Sequence, residues 1–186
     1  MAPMIRSAAL LAAWLTVAPA MAAEWQVADS GSRIGFVATY EDTAFEAWFR
    51  SFDAAIRFDP DAPADASFDI RIDVMSVDSN SPDRDEGMRG EEWLATDRHP
   101  EARFLAEGVE KLSGNRFQAT GPLTLKDVRR TIEVPFTWEQ SGDEAVLTAE
   151  TEVQRTGFDI GTGDWAEDDT IGFTVTIKAR LALTRR

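Results

Sequence analysis

The chain has 186 residues, 44% hydrophobic and 28% charged, with one histidine, no cysteine and a net charge of -14. That apolar share excludes a disordered polymer, and an acid excess with no basic block excludes a surface built for nucleic acid or an anionic membrane. Without cysteine there are no disulfides, thiolate nucleophiles or cysteine-ligated zinc, and one histidine gives a Ser-His-Asp triad or a multi-histidine metal site little to work with.

Residues 1–22 read as a secretory signal peptide. Arg6 is the only charge before Glu24, an apolar run follows from Ala8 to Ala18, and Ala20-Met21-Ala22 supplies small residues for cleavage. Pro19 breaks the run before it reaches the ~20 residues of a spanning helix. Cleavage would remove one positive charge and no acid, leaving residues 23–186 as a single, still more acidic domain.

Beyond this segment, alternation dominates. Weaker alternating runs cover Ile34 to Thr39, which contains Phe36, and Phe45 to Phe58, which contains Phe49. Phe68, Ile70, Ile72 and Val74 alternate with Asp69, Arg71 and Asp73. The stretch from Ser81 to Thr96 breaks the rule: Ser81, Pro82 and the acids Asp83, Asp85 and Glu86 predict a helix start, and Gly87 and Gly90 predict a short one. His99 before Pro100 reads as the end of that segment.

Alternation resumes from Phe104 to Val109, through Phe117, Ala119, Leu123 and Leu125, then at Ile132, Val134, Phe136 and Trp138, and from Leu147 to Val153. The last run is the clearest, with Ile171, Phe173, Val175, Ile177, Ala179, Leu181 and Leu183 on one face. Turn signals separate the runs, among them Asp59-Pro60-Asp61, Ser113-Gly114-Asn115 and Ser141-Gly142-Asp143.

About eight antiparallel strands with one short helical segment predict an all-β fold, and strands this long favour an elongated closed barrel, which has no exposed edges. Of 18 aromatics, 11 Phe, 6 Trp and 1 Tyr, only Trp14 lies in the signal. Rings on the dry face serve equally as ordinary core or as the lining of a cavity, because eight strands enclose space for one slender ligand. Pattern leaves both open. The candidate lining residues are Phe36, Phe49, Phe104, Phe117, Phe136 and Phe173.

The order of short motifs resembles the YceI-like family, also called polyisoprenoid-binding or bacterial lipocalin-like proteins. The resemblance runs from about Trp25 to Leu183. It is carried by Phe58-Asp59-Pro60, Val74-Met75-Ser76-Val77-Asp78-Ser79, Arg84-Asp85-Glu86 with Trp93-Leu94, and His99-Pro100-Glu101-Ala102-Arg103-Phe104, then by Gly121-Pro122-Leu123-Thr124-Leu125 and Arg155 before Phe158. There are two departures. The family's L-T-L-H-G-V-T-R becomes Leu123-Thr124-Leu125-Lys126-Asp127-Val128-Arg129-Arg130, and its R-x-D-F-G-I becomes Arg155-Thr156-Gly157-Phe158-Asp159-Ile160.

The resemblance implies an elongated eight-stranded lipocalin-like barrel in the periplasm, holding a long isoprenoid or similar amphiphile in an apolar tunnel. It implies no catalytic residue, no metal and no required cofactor. The ligand would be a polyprenyl pyrophosphate or a quinone. Arg155, with Phe158 beside it, is the candidate for the head group; a structural Arg155 paired with Asp159 or another carboxylate is the competing expectation. A carrier is the leading reading, with an accessory module presenting quinone to a membrane b-type cytochrome, or a homodimer, as further possibilities. An acid-base hydrolase ranks last, since carboxylate pairs can be drawn almost anywhere among 33 acids.

Overall fold

In the computed structural model, residues 22–28, 30–167 and 169–186 are described; the expected signal segment lies outside them except for Ala22. The alternating runs become strands that pair antiparallel throughout. In chain order these are β1 (Glu24–Val27), β2 (Arg33–Tyr40), β3 (Thr43–Phe49), β4 (Phe52–Arg57), β5 (Ser67–Asp73), β6 (Val77–Asp78), β7 (Glu101–Glu107), β8 (Val109–Ser113), β9 (Arg116–Leu125), β10 (Val128–Ser141), β11 (Glu144–Gln154) and β12 (Thr174–Arg185), with one helix α1 (Pro82–Arg89).

Neighbouring strands follow the order β1-β4-β5-β7-β9-β10-β11-β12, and β1 pairs back onto β12, so eight strands close into a barrel among the described residues. The expected eight-stranded barrel with one short helical segment is the fold observed. Long β12 is shared. Its C-terminal end pairs β1 through Leu183↔Val27, while its N-terminal half pairs β2 through Ile177↔Phe36. The ring is thereby extended at one end by β2, β3 and β6, and β8 lies outside it, paired to β9 alone.

Two features differ from the sequence reading. The run from Phe45 to Phe58 divides at Arg50-Ser51 into β3 and β4, which join different sides of the barrel. The last strand begins at Thr174 rather than Ile171: Ile171 makes only an isolated bridge with Tyr40, and Phe173 stands before the strand.

Helix α1 has Pro82 in its first turn, as its sequence predicts, and its anchorage comes from side chains. The carboxylate of buried Asp85 accepts from the Ser79 amide at 2.8 Å and its hydroxyl at 2.6 Å. Arg89 donates to the carbonyls of Met75 and Val77 at 2.9 and 2.8 Å. These bonds tie the helix to the end of β5 and to β6. Met88 is its inward apolar contact, packed in a small cluster with Val74, Val77, Leu94 and Ala102.

Candidate functional site

The barrel has two unlike ends. At the end reached by the β8–β9 and β10–β11 turns, the interior is a solid plug of aromatic rings. Phe58 is 0% exposed and meets Phe117 edge-on at 5.1 Å, Phe136 at 5.6 Å, Phe68 at 5.9 Å and Trp138 at 4.8 Å. Phe117 and Phe136, directly opposed in the β9–β10 ladder, stack at 5.6 Å. Trp25 closes the base against Trp138 at 5.1 Å and donates its indole N–H to the Phe58 carbonyl at 3.0 Å. Edge-on and offset ring pairs fill space densely and add attraction beyond area burial.

Above the plug the barrel is not filled. A cavity of about 170 Å³ runs up its axis, walled by aliphatic groups such as Ile70, Ile72, Val134 and Ile177, with Phe49 and Phe104. These six side chains lie on the inward register yet are only part-buried, because they face empty space rather than one another. Phe136 and Phe68 form its floor where they meet the plug. A second cavity of about 430 Å³ continues toward the mouth and shares Leu94 and Val175 with the first. Its wall includes Phe36, Phe45, Met88, Trp93 and Trp165, and its polar side chains are Tyr40, Asp83, Arg84 and Arg155.

The mouth is framed by α1, by residues 90–98 and by residues 155–165. The amides of Gly161 and Thr162 donate to the Glu92 carbonyl at 2.7 and 3.1 Å, and Trp93 lies 5.5 Å from Trp165. The β9–β10 turn pins the same two segments from below. Lys126 donates to the carbonyls of Asp159 at 2.6 Å and Glu91 at 3.2 Å. Burial holds its ammonium below the ordinary lysine range, against an opposing pull from Asp159. His99 Nδ1 lies 3.0 Å from a carboxylate oxygen of Asp127, on the neighbouring position of that turn.

Of the lining residues expected from sequence, Phe49, Phe104 and Phe136 wall the inner cavity and Phe36 walls the outer one. Phe117 is a correction. It is 1% exposed, sealed inside the plug, and touches neither cavity. Phe173 and buried Phe158 also stand outside both walls; Phe173 packs 5.4 Å from the Arg155 guanidinium.

Arg155 is 2% exposed, and among the described residues it donates to six main-chain carbonyls. Nε donates to Gly172, Nη1 to Ile160 and Gly161, and Nη2 to Trp165, Glu167 and Ile171, at 2.7 to 3.2 Å. A guanidinium has five N–H groups, and six carbonyls share them. The head-group role expected for Arg155 is thus corrected by geometry: it is a structural tie, and among the described residues it holds the carbonyls of residues 160, 161, 165, 167, 171 and 172. Gly161 makes this possible. Its φ is +73°, and a Cβ there would stand 2.1 Å from Arg155 Nη1.

The exchange of Gly and Asp around Phe158 has a local account. Asp159 has a φ of 55°, the left-handed region that a glycine would fill without strain and that Asp tolerates better than most residues. A Cβ at Gly157 would meet open space.

The sequence singles out phenylalanine as lining; Arg84 and Trp93 stand in it only as motif residues, and neither they nor Tyr40, Trp165 and the aliphatic wall carry a lining role there. The wall was signalled by the same alternation in β5, β10 and β12. The mouth residues come from separate elements, Tyr40 from the end of β2, Arg84 from α1, and Trp93 and Trp165 from the segments that frame the mouth, and the barrel's closure brings them together.

The YceI-like domain family model matches residues 25–183. Protein YceI of Escherichia coli O157:H7 is 31% identical over 120 residues, covering 61% of this chain and 62% of that protein. A UPF0312 protein of Photorhabdus laumondii is 33% identical over 84 residues, covering 45% of this chain and 43% of its own length. The chain therefore spans less than two thirds of these curated relatives. Among solved structures, Burkholderia cenocepacia BcnA superposes with a TM-score of 0.79 at 29% identity, over 81% of this chain and 95% of that one. A polyisoprenoid binding domain from Saccharophagus degradans, implicated in plant cell wall breakdown, superposes with a TM-score of 0.70 at 15% identity, over 89% and 99% of the two chains. At that identity the likeness is one of fold.

Proposed function

The chain belongs to the YceI-like domain family, and from the cavity it encloses we propose that it is a non-enzymatic carrier of a long apolar lipid, an isoprenoid or similar amphiphile. The observation that carries this reading is the inner cavity itself: a space along the barrel axis whose side chains are almost all hydrocarbon, with Glu150 and Thr151 the polar ones among them. Such a wall offers no directed chemistry. It favours a ligand whose affinity comes from removing apolar surface from water, at about 25 cal/mol per Å².

The similarity to a polyisoprenoid binding domain supports a long, branched chain as the occupant. A slender polyprenyl chain fits a channel that is blind at the plug and open at the mouth, with its polar end left near solvent. The signal-like residues 1–22 support export, and the carrier is proposed to act in the periplasm after their removal.

The test is extraction of the natively purified, exported protein with organic solvent, followed by mass spectrometry. The reading expects a polyprenyl-type lipid near one per chain. An extract without lipid, from protein that also fails to take up an added isoprenoid chain, contradicts it.

A further inference from the structure

The mouth holds two polar side chains that the fold does not use. Tyr40, the only tyrosine of the chain, ends β2 at the rim and is 44% exposed. Arg84 projects from α1, with its guanidinium carbon 4.6 Å over the ring of Phe45. Both line the outer cavity. Among the described residues, neither the Tyr40 hydroxyl nor the Arg84 N–H groups have a hydrogen-bond or ion-pair partner. Arg155, by contrast, donates to main-chain carbonyls.

We propose that Tyr40 and Arg84 are the head-group-reading residues of this barrel, and that they select an uncharged, planar head bearing a carbonyl oxygen. The inference rests on the carrier reading and assigns the polar end of the same ligand. Stacking on Phe45 occupies one face of the Arg84 guanidinium and leaves its N–H edge free to donate. A phenol hydroxyl donates to the same kind of acceptor. Phe36, Phe45, Trp93 and Trp165 on the wall give a flat ring surfaces to lie against.

Charge decides between a carbonyl and a phosphate. Asp83 lines the same cavity, Glu86 follows on α1, and Glu41 and Asp42 form the turn beside Tyr40. Of the two guanidinium groups on this wall, Arg155 is buried and already bonded to carbonyls, and Arg84 among these acids, on a chain of net charge -14, offsets too little to hold a pyrophosphate. A neutral acceptor meets no such repulsion.

The experiment is a titration of wild type, Y40F, R84A and the double variant with three probes sharing a farnesyl-length tail: a benzoquinone, a pyrophosphate and the bare hydrocarbon. Tryptophan fluorescence reads binding, and thermal unfolding checks the fold, which these rim substitutions leave unchanged. Wild type binds the quinone more tightly than the pyrophosphate. Each single variant loses about tenfold for the quinone and keeps its hydrocarbon affinity, the scale of one hydrogen bond lost at each site.

Equal quinone affinity in all four proteins overturns the inference while leaving the carrier reading intact. Tighter wild-type binding of the pyrophosphate, lost on R84A, overturns the choice of a neutral head. Failure of wild type to bind even the hydrocarbon counts against the carrier reading itself.

Discussion

The two ends of the barrel are made from the same pattern and do opposite things. At the closed end, Phe58, Phe68, Phe117, Phe136 and Trp138 bring five rings within 6 Å of a neighbour and leave no space. At the open end, the inward register passes to Ile70, Val134 and Ile177, which are too short to meet across a ring of eight strands. How many rings the strands bring to one level, rather than hydrophobicity, decides where the barrel is core and where it is cavity. The plug supplies stability, and the cavity is free to remain open.

That division makes the closed end the most sensitive part of the molecule. Phe58→Ala removes the ring that all the others touch and is expected to cost about 3–5 kcal/mol, read as a lower urea midpoint. A loss under about 1 kcal/mol would mean the plug is not the core.

Arg155 tests whether the rim is held independently. Arg155→Ala orphans buried carbonyls and should destabilise by about 3 kcal/mol or more. Arg155→Lys should recover little, because three ammonium donors cannot reach six carbonyls. Gly161→Ala should mimic it through the clash at Nη1. All three should lower the melting temperature and weaken quinone and pyrophosphate probes alike; loss confined to one head group would restore a ligand role for Arg155.

Filling the cavity gives the converse result. Ala179 lines it, so Ala179→Phe should cut lipid uptake at least tenfold while thermal stability holds or rises. A severe drop in stability would mean that this part of the barrel is already close-packed.

The smallest effect lies on the outer surface, away from both ends. The Asp69 carboxyl is held below the ordinary range chiefly by its hydrogen bond from Arg103, at 2.7 Å, with a further one from Arg71. A depressed carboxylate stabilises the folded state above its unfolded value of about 4, and that contribution is lost as pH falls through the folded value. Asp69→Asn should therefore lower stability by a few tenths of a kcal/mol at pH 7 and by less at pH 3, with lipid uptake unchanged.

Most of the barrel was legible from period-two alternation, and β5, β10 and β12 are where it read most clearly. The short helix was legible because Ser81-Pro82 opens it and Gly90 ends it. The assignment of rings to cavity or core was not. Phe117 and Phe104 both lie on inward faces, and only the neighbours brought by other strands separate them: Phe117 meets Phe58 and Phe136, while Phe104 faces open space. Arg155 misled for a similar reason. The carbonyls that absorb its donors span residues 160 to 172, and a loop's carbonyl directions carry no sequence signal. Tyr40 and Arg84 were invisible as a pair because the barrel's closure alone brings β2 and α1 to the same mouth.

The most direct test of the central claim is a crystal structure of the protein loaded with a polyprenyl chain. The account predicts continuous density from the mouth past Val175 and between Ile70, Val134 and Ile177, stopping at Phe136 and Phe68 with the plug rings unmoved. A loaded protein whose density lies outside the barrel, with Phe49, Phe104 and Val134 collapsed into mutual contact, would contradict it.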